Sequence, residues 1–372
     1  MTVFPFADCG YVPLKARFSS FCGAVCLSVM SFLPGDAVAD EADYKSILEA
    51  FLVENRIAGG TLHVSGPNEE IEVSSGVADV KSGQPVTTKT RFYIASVGKM
   101  VVAAAIMADV ERGKLDLDAS IWPLVRDIPE IESLASLRDV TLRQLLNHTS
   151  GFPDYLSEDF AAASARQPDR HWSEAEVLPF AYGLPPTGTP GHVFEYSNTN
   201  YVLLGHILKR LHPNLEAALR GSVLAKAGMN STSVGAVSDE QGLARGYRDN
   251  DWQADASREA WARTTGDGPL VGTVGDVARF MRALLRDGKL IGPDLLDEML
   301  TGSDPEEDYG LGIGIDGDEW GDWYGHSGGD DGFEADVRYY PDSDLVIAFS
   351  VNGNTHSETD LLDQAAEIYF ER

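Results

Sequence analysis

The chain has 372 residues, of which 43% are hydrophobic and 23% are charged, so it can bury the core of an ordinary globular protein. Its formal net charge is −29, and so acidic a surface argues against binding to nucleic acid or to anionic membranes. Length alone allows two or three domains, or one large domain with interleaved lobes.

The first 39 residues are typical of an export signal. Lys15 and Arg17 precede a mostly apolar run over residues 18–34, and an A-x-A pattern ends at Ala39. A short membrane anchor is the alternative, but the run is below the roughly 20 residues that a spanning helix needs. We therefore predict cleavage after Ala39 and a mature domain over 40–372, located in the periplasm or outside the cell.

All three cysteines precede that point, so the mature domain would contain no disulfide and no cysteine zinc site.

The predicted strands of the mature domain lie mainly near its two ends, and most of the predicted helices lie between them. A helix over 44–55 is followed by a strand hairpin over 59–66 and 69–80, and then by a strand and helix within 92–113. The remaining predicted elements are helices over 141–148, 200–211, 215–228 and 274–289, strands over 309–315, 322–329, 333–341 and 345–353, and a last helix over 360–372. This order predicts an α+β protein whose two ends meet in one sheet.

The stretch "FYIASVGKMVVAAAIM", residues 92–107, places Ser96 and Lys99 at the start of a very apolar helix. A lysine is almost never fully buried without a partner. Three positions along a helix return to the same face, so the lysine nitrogen can reach the serine oxygen. The first helical turn favours developing negative charge, and burial favours the neutral lysine that could activate a serine. The pattern therefore predicts a nucleophile and its base.

A second pattern is "EYSNTNY", which follows a turn-rich loop and contains Tyr196 and Asn198. On its own, Tyr196 is more typical of a buried aromatic side chain. Beside a Ser/Lys pair, however, a phenol can carry a proton between nucleophile and leaving group, and an asparagine can hold a substrate amide.

A third pattern, "WYGHSGGDDGF", places His326, Gly328 and Gly329 at the end of a strand. Glycines there allow a substrate to approach the backbone closely, and the N–H of Gly329 could form an oxyanion hole with that of Ser96. A β-bulge or tight turn is the alternative interpretation. The same segment matches G-x-S-x-G around Ser327, but turn and strand signals follow it where a nucleophile elbow needs a helix.

Together these patterns resemble the three motifs of the penicillin-recognising serine hydrolases, a group that includes class C β-lactamases, D-alanyl-D-alanine carboxypeptidases, D-aminopeptidases and related esterases. The residues that carry the resemblance are Ser96-x-x-Lys99, Tyr196-x-Asn198 and His326-x-Gly328, and similar segments extend over residues 50–355. The resemblance implies a β-lactamase/transpeptidase-like fold. In that fold an antiparallel sheet flanked by helices lies beside a mostly helical lobe, with the active site between them.

The resemblance also implies roles for individual residues. Ser96 would be the nucleophile, with Lys99 and Tyr196 sharing the acid–base work. Asn198 would orient the substrate and the lysine, and His326 would bind the acyl side of the substrate. No metal or organic cofactor is implied. Further along the chain, His148 in "NHTSG" is expected to be architectural, whereas Phe152 and Tyr155 either line the cleft or lie in the core.

The function implied is that of a secreted serine hydrolase that acts through an acyl-enzyme on a small ester, amide or D-amino peptide. A penicillin-binding or sensor protein that acylates without efficient turnover is the alternative. Histidine replaces the lysine that β-lactamases have in the third motif, which favours the esterase and peptidase branches. A neutral His326 predicts a preference for neutral substrates, with relative activity on carboxylates rising as the pH falls towards 6. A nearby Asp330 or Asp331 would instead keep the imidazole protonated.

Overall fold

The computed structural model describes residues 41–235, 242–357 and 360–371. The predicted export signal lies outside the described residues. Within them, no helix is both long enough and apolar enough to cross a membrane.

Ten strands and thirteen helices lie in the described part of the chain. The strands are β1 (Gly59–Ser65), β2 (Glu70–Asp79), β3 (Gln84–Pro85), β4 (Phe92–Tyr93), β5 (Ser233–Val234), β6 (Leu270–Gly272), β7 (Gly314–Asp318), β8 (Gly321–Asp330), β9 (Phe333–Tyr340) and β10 (Leu345–Val351). The helices are α1 (Glu41–Asn55), α2 (Gly98–Glu111), α3 (Trp122–Val125), α4 (Leu142–Leu146), α5 (Glu158–Ala165), α6 (Glu174–Val177), α7 (Asn198–Leu211), α8 (Leu215–Leu219), α9 (Ala225–Ala227), α10 (Ser257–Trp261), α11 (Val274–Leu285), α12 (Pro293–Met299) and α13 (Leu361–Phe370).

A seven-stranded antiparallel sheet joins the two ends of the chain, as the order of predicted elements indicated. Its strand order is β3-β2-β1-β10-β9-β8-β7. The contact between the ends is the pairing of β1 with β10, in a register that sets Gly60 opposite Val351 and Ser65 opposite Val346. A smaller sheet has the order β4-β6-β5.

Helices cover both faces of the large sheet, and this explains why β10 is apolar except at Ser350. Ile347 and Phe349 pack into a cluster with α1 and α13. Val346 and Ala348, on the opposite face, join the larger cluster that includes α2, α7 and α11. The seven residues of β10 are all buried. The site described below lies where β8 meets the elements of the larger cluster.

Some predicted elements differ from the structure. The strand predicted over 309–315 begins only at Gly314. The helix predicted over 215–228 is divided into α8, a π-helical turn (Arg220–Leu224) and α9, and ends at Gly228 with a φ of 75°. The strand predicted at the start of 92–113 is β4, but its partners β5 and β6 and the small sheet that they form were not predicted.

Candidate active site

Ser96 lies in a 3₁₀ turn (Ala95–Val97) that connects β4 to α2. The residue before it, Ala95, is buried and has a φ of 43°, a conformation that few residues with a Cβ adopt. Such strain persists where the surroundings impose it, and it is common at functional sites. The turn places the partly buried Ser96 side chain at the entrance to α2.

Lys99 is fully buried and makes three hydrogen bonds. Its Nζ donates to Oγ of Ser96 at 2.8 Å, to Oδ1 of Asn198 at 2.7 Å and to the backbone oxygen of Asp267 at 2.8 Å. The amide and backbone oxygens can only accept, whereas the hydroxyl can also donate. When Lys99 is neutral, two N–H groups therefore stay on the two fixed acceptors and its lone pair faces the Ser96 hydroxyl.

Tyr196 and Asn198 stand at the start of α7. The Tyr196 hydroxyl is buried, and no hydrogen-bond partner for it lies among the described residues. Nζ of Lys99 lies 5.0 Å from the centre of the Tyr196 ring. A buried polar atom without a partner is uncommon, so this phenol is available to a group brought in by a substrate.

The ring of His148 packs against the ring of Tyr196. The two rings stack with centroids 4.2 Å apart, and Nδ1 of His148 accepts a hydrogen bond from the Ser197 backbone N–H at 3.1 Å. Burial, followed by the charge of Lys99, holds the pKa of His148 well below its usual value, so the ring is neutral. Its contacts hold the loop before α7 in place.

Phe152 and Tyr155 are buried in the core and do not line an open cleft, which decides between the two predicted placements. The Tyr155 hydroxyl donates to Oδ2 of Asp267 at 2.6 Å. It thereby anchors the residue whose backbone oxygen binds Lys99.

His326 lies buried on β8 with both ring nitrogens in use. Nδ1 donates to the backbone oxygen of Ser327, which leaves Nε2 to accept from the Tyr309 hydroxyl at 3.0 Å. Burial is the main cause that lowers the pKa of His326 to about 4, and the charge of Lys99 adds to it. The imidazole is therefore neutral at pH 7.

This low pKa corrects the expected pH dependence. The titration of His326 lies well below pH 6, so binding of carboxylates should not rise as the pH approaches 6. The predicted alternative, in which Asp330 or Asp331 keeps the imidazole protonated, is also wrong. Both acids pair with arginines instead: Asp330 with Arg263 at 3.0 Å, and Asp331 with Arg248 at 2.8 Å.

Gly328 allows β8 to lie directly against the Ser96 turn. A Cβ at this position would lie 2.5 Å from the backbone oxygen of Ile94 and 2.9 Å from the backbone nitrogen of Ser96. Gly329 follows on the same strand and pairs with Glu334 of β9. Its role as an oxyanion donor stays a prediction. Ser327 lies within β8, which continues through a turn into β9, so the nucleophile elbow is excluded.

The sequence analysis missed two acidic residues beside the predicted site. Oδ2 of Asp154 accepts a hydrogen bond from Nδ2 of Asn198 at 2.7 Å, and Asp267 supplies the backbone oxygen for Lys99. Asp154 lies between two aromatic residues, Phe152 and Tyr155. An acidic residue in so apolar a segment is a pattern that could have indicated a role in the site. The residues that the structure describes include no cluster of three or more His, Cys, Asp or Glu side chains able to hold a metal ion.

Comparison with known proteins gives consistent matches over most of the chain. A family model described as Beta-lactamase matches residues 44–370. Penicillin-binding protein 4 of Amycolatopsis lactamdurans is 27% identical over 343 residues, which cover 84% of this chain and 86% of that protein. Esterase EstB of Burkholderia gladioli is 27% identical over 322 residues, covering 78% and 80% of the two chains.

Solved structures match the fold closely. The penicillin binding protein from Bacillus halodurans superposes with a TM-score of 0.74 at 27% identity and covers 87% of this chain and 99% of its own. D-amino acid amidase from Ochrobactrum anthropi SV3, complexed with L-phenylalanine amide, gives a TM-score of 0.75 at 25% identity and covers 89% and 98%.

Proposed function

Because the chain belongs to the β-lactamase family, we propose that it is an exported serine hydrolase that cleaves small esters or amides through an acyl intermediate on Ser96. The family resemblance and the β-lactamase/transpeptidase-like fold predicted from the motifs are confirmed by the family match and the solved structures. The hydrogen bond between Nζ of Lys99 and Oγ of Ser96, at 2.8 Å, is the observation that carries the proposal.

In the proposed reaction, Oγ of Ser96 bonds to the substrate carbonyl carbon and its proton passes to Nζ of Lys99. The N–H groups of Ser96 and Gly329 would hold the oxygen on which negative charge develops. The bond to the leaving group then breaks, and the leaving oxygen or nitrogen takes a proton relayed from Lys99 through the Tyr196 hydroxyl. A water molecule then attacks the acyl carbon and gives up a proton, which passes through Tyr196 to Lys99. Lys99 returns the proton to Oγ of Ser96 as the acyl bond breaks, which frees the enzyme. No metal or organic cofactor is needed.

Charge near Ser96 supports a preference for neutral substrates. Lys99 directs its donors to protein oxygens, His326 is neutral with both nitrogens in use, and the Arg263 guanidinium is paired with Asp330. We propose that His326 lines the acyl side as a neutral ring and that Asn198 orients the substrate. A carboxylate would then gain little over a neutral ester. The names of two similar proteins, an esterase and an amidase, are consistent with this class of substrate.

The second candidate is a penicillin-binding protein that acylates and releases product slowly, and the similarity to penicillin-binding protein 4 favours it. Electrospray mass spectrometry after mixing with a neutral p-nitrophenyl ester or a cephalosporin separates the two. A short-lived adduct with released acid supports the hydrolase, whereas a lasting adduct of one acyl group supports the penicillin-binding protein.

Labelling with a fluorophosphonate tests the nucleophile itself. We expect Ser96→Ala to abolish the label and Ser327→Ala to keep it, because the hydrogen bonds of Lys99 go to Ser96, Asn198 and Asp267 and none goes to Ser327. Loss of label in Ser327→Ala with label retained in Ser96→Ala would contradict the proposal.

Export is tested separately by mass spectrometry of the protein secreted from its host. A chain that begins at Asp40 is expected, and an intact N-terminus on the protein inside the cell would refute cleavage after Ala39.

A further inference from the structure

Asp154 is connected to the nucleophile Ser96 by three successive hydrogen bonds. Its Oδ2 accepts from Nδ2 of Asn198 at 2.7 Å, and Oδ1 of Asn198 in turn accepts from Nζ of Lys99 at 2.7 Å. A second bond, from the Leu156 backbone N–H to Oδ1 at 3.0 Å, holds the carboxylate in place. The result is a continuous chain of contacts from Asp154 through Asn198 and Lys99 to Ser96.

We infer that Asp154 is a positioning residue that orients Asn198 and, through it, holds Lys99 against Ser96. This inference rests on the proposed function. An ionised carboxylate only accepts hydrogen bonds, so the amide nitrogen of Asn198 must face Asp154 and its oxygen must face Lys99. Without the carboxylate, the amide can turn over and present an N–H group to Nζ. Lys99 would then lose one of its two fixed acceptors.

Asp154 also brings negative charge close to Lys99, and the other titratable groups around that lysine do not duplicate it. Burial keeps the imidazoles of His148 and His326 neutral by lowering their pKa values. Burial also raises the pKa of Asp154, but hydrogen bonds and the charge of Lys99 favour its ionised form. The titratable side chains that face Lys99 are Asp154, His148, His326, Tyr196 and Tyr201.

A purely structural role for Asp154 makes a different prediction. Asp154 also accepts a hydrogen bond from the backbone N–H of Asn198, at the start of α7. A carboxylate at a helix N-terminus stabilises the helix. If this were its whole contribution, loss of the carboxylate would lower stability and leave the kcat of the folded protein unchanged.

Steady-state kinetics with a neutral p-nitrophenyl ester distinguishes these roles in the full-length protein. For Asp154→Asn we expect kcat to fall about 10- to 100-fold as Lys99 loses its alignment. We expect this loss in the folded protein, well below its Tm, because a turned Asn198 amide and not unfolding is its cause. Asp159→Asn removes an exposed acid from α5 and is the matched control, with kcat unchanged.

Exchanging the two side chains tests the same contact by rescue. In the double variant Asp154→Asn/Asn198→Asp, a carboxylate contacts Nζ of Lys99 directly and the paired amide is kept. An acceptor then faces Lys99 again, so kcat should return to within about tenfold of the wild type. This variant also decides the matter if Asp154→Asn does not fold.

Three outcomes would overturn the inference: an unchanged kcat in Asp154→Asn with only a lower Tm, a kcat in the exchanged variant that stays more than about tenfold below the wild type, or an equal loss of kcat in the Asp159→Asn control. Each of these presupposes that the wild type turns over the ester. Absence of any Ser96 acylation in the wild type would instead refute the proposed function, so the two failures are distinguishable.

Discussion

The charge state of His326 gives a quantitative prediction for stability. Its pKa falls from 6.5 to about 4 on folding, and this difference corresponds to about 3 kcal/mol at about 1.36 kcal/mol per pKa unit. Because the pKa is lower in the folded state, the stabilisation is fully present above pH 6.5. It is lost as the pH falls from 6.5 towards 4. At pH 5 the unfolded imidazole is about 97% protonated and the folded one about 10%, which costs about 2 kcal/mol.

Urea unfolding at pH 7.5 and pH 5.0 measures this cost. The free energy of unfolding of the wild type should fall by about 2 kcal/mol more over this interval than that of His326→Gln. His192→Gln is the matched control, because His192 is exposed, and it should behave as the wild type does. Equal losses in the wild type and in His326→Gln would show that His326 titrates alike in the folded and unfolded chains, and would refute the argument from burial.

The same charge state has a consequence for substrate choice. At pH 5.5 only about 3% of the folded protein would carry a protonated His326. The ratio of kcat/KM for a carboxylate ester to that for a neutral ester should therefore be flat from pH 5.5 to 8.5. His326→Lys should raise this ratio about tenfold, since a hydrogen bond to a charged group is worth about 1.5–3 kcal/mol. A wild-type ratio that climbs towards pH 6 would contradict the structure.

Two further substitutions probe the site. Tyr196→Phe removes a buried hydroxyl without a partner among the described residues, so Tm should stay within a few degrees while kcat falls about 100-fold or more; an unchanged kcat would exclude the proton relay. Gly328→Ala places a methyl group 2.5 Å from the backbone oxygen of Ile94. It should therefore destabilise the protein by about 1–3 kcal/mol and abolish labelling of Ser96; normal labelling with an unchanged Tm would contradict the close approach of β8.

The large elements could be predicted because their residue patterns are long. The elements β1, β2, α2 and β10 each extend over at least seven residues, enough for their alternation or apolar runs to be read. The strands β5 and β6 have two or three residues each and are defined by their neighbours in the small sheet. No local pattern marks them.

The sequence predicts those parts of the site that depend on the type of side chain, and it does not predict those that depend on the backbone or on burial. Ser96 and Lys99 stand out because a polar pair interrupts an apolar run, and the structure places their reactive atoms 2.8 Å apart. Asp267 binds the same lysine through its backbone oxygen, which every residue type has, so its identity gives no signal. The low pKa of His326 likewise depends on how deeply β8 is buried, which the motif alone does not report.

The electrostatics of the site follow from one substitution in the third motif. The neutral imidazole of His326 places no second cation near Lys99, and Asp154 lies on the other side, hydrogen-bonded to Asn198. Hydrogen bonds therefore do more than charge repulsion to prepare this lysine. The fixed acceptors on Asn198 and Asp267 turn the lone pair of a neutral Lys99 towards the Ser96 hydroxyl, and this contact is the one through which the nucleophile can lose its proton.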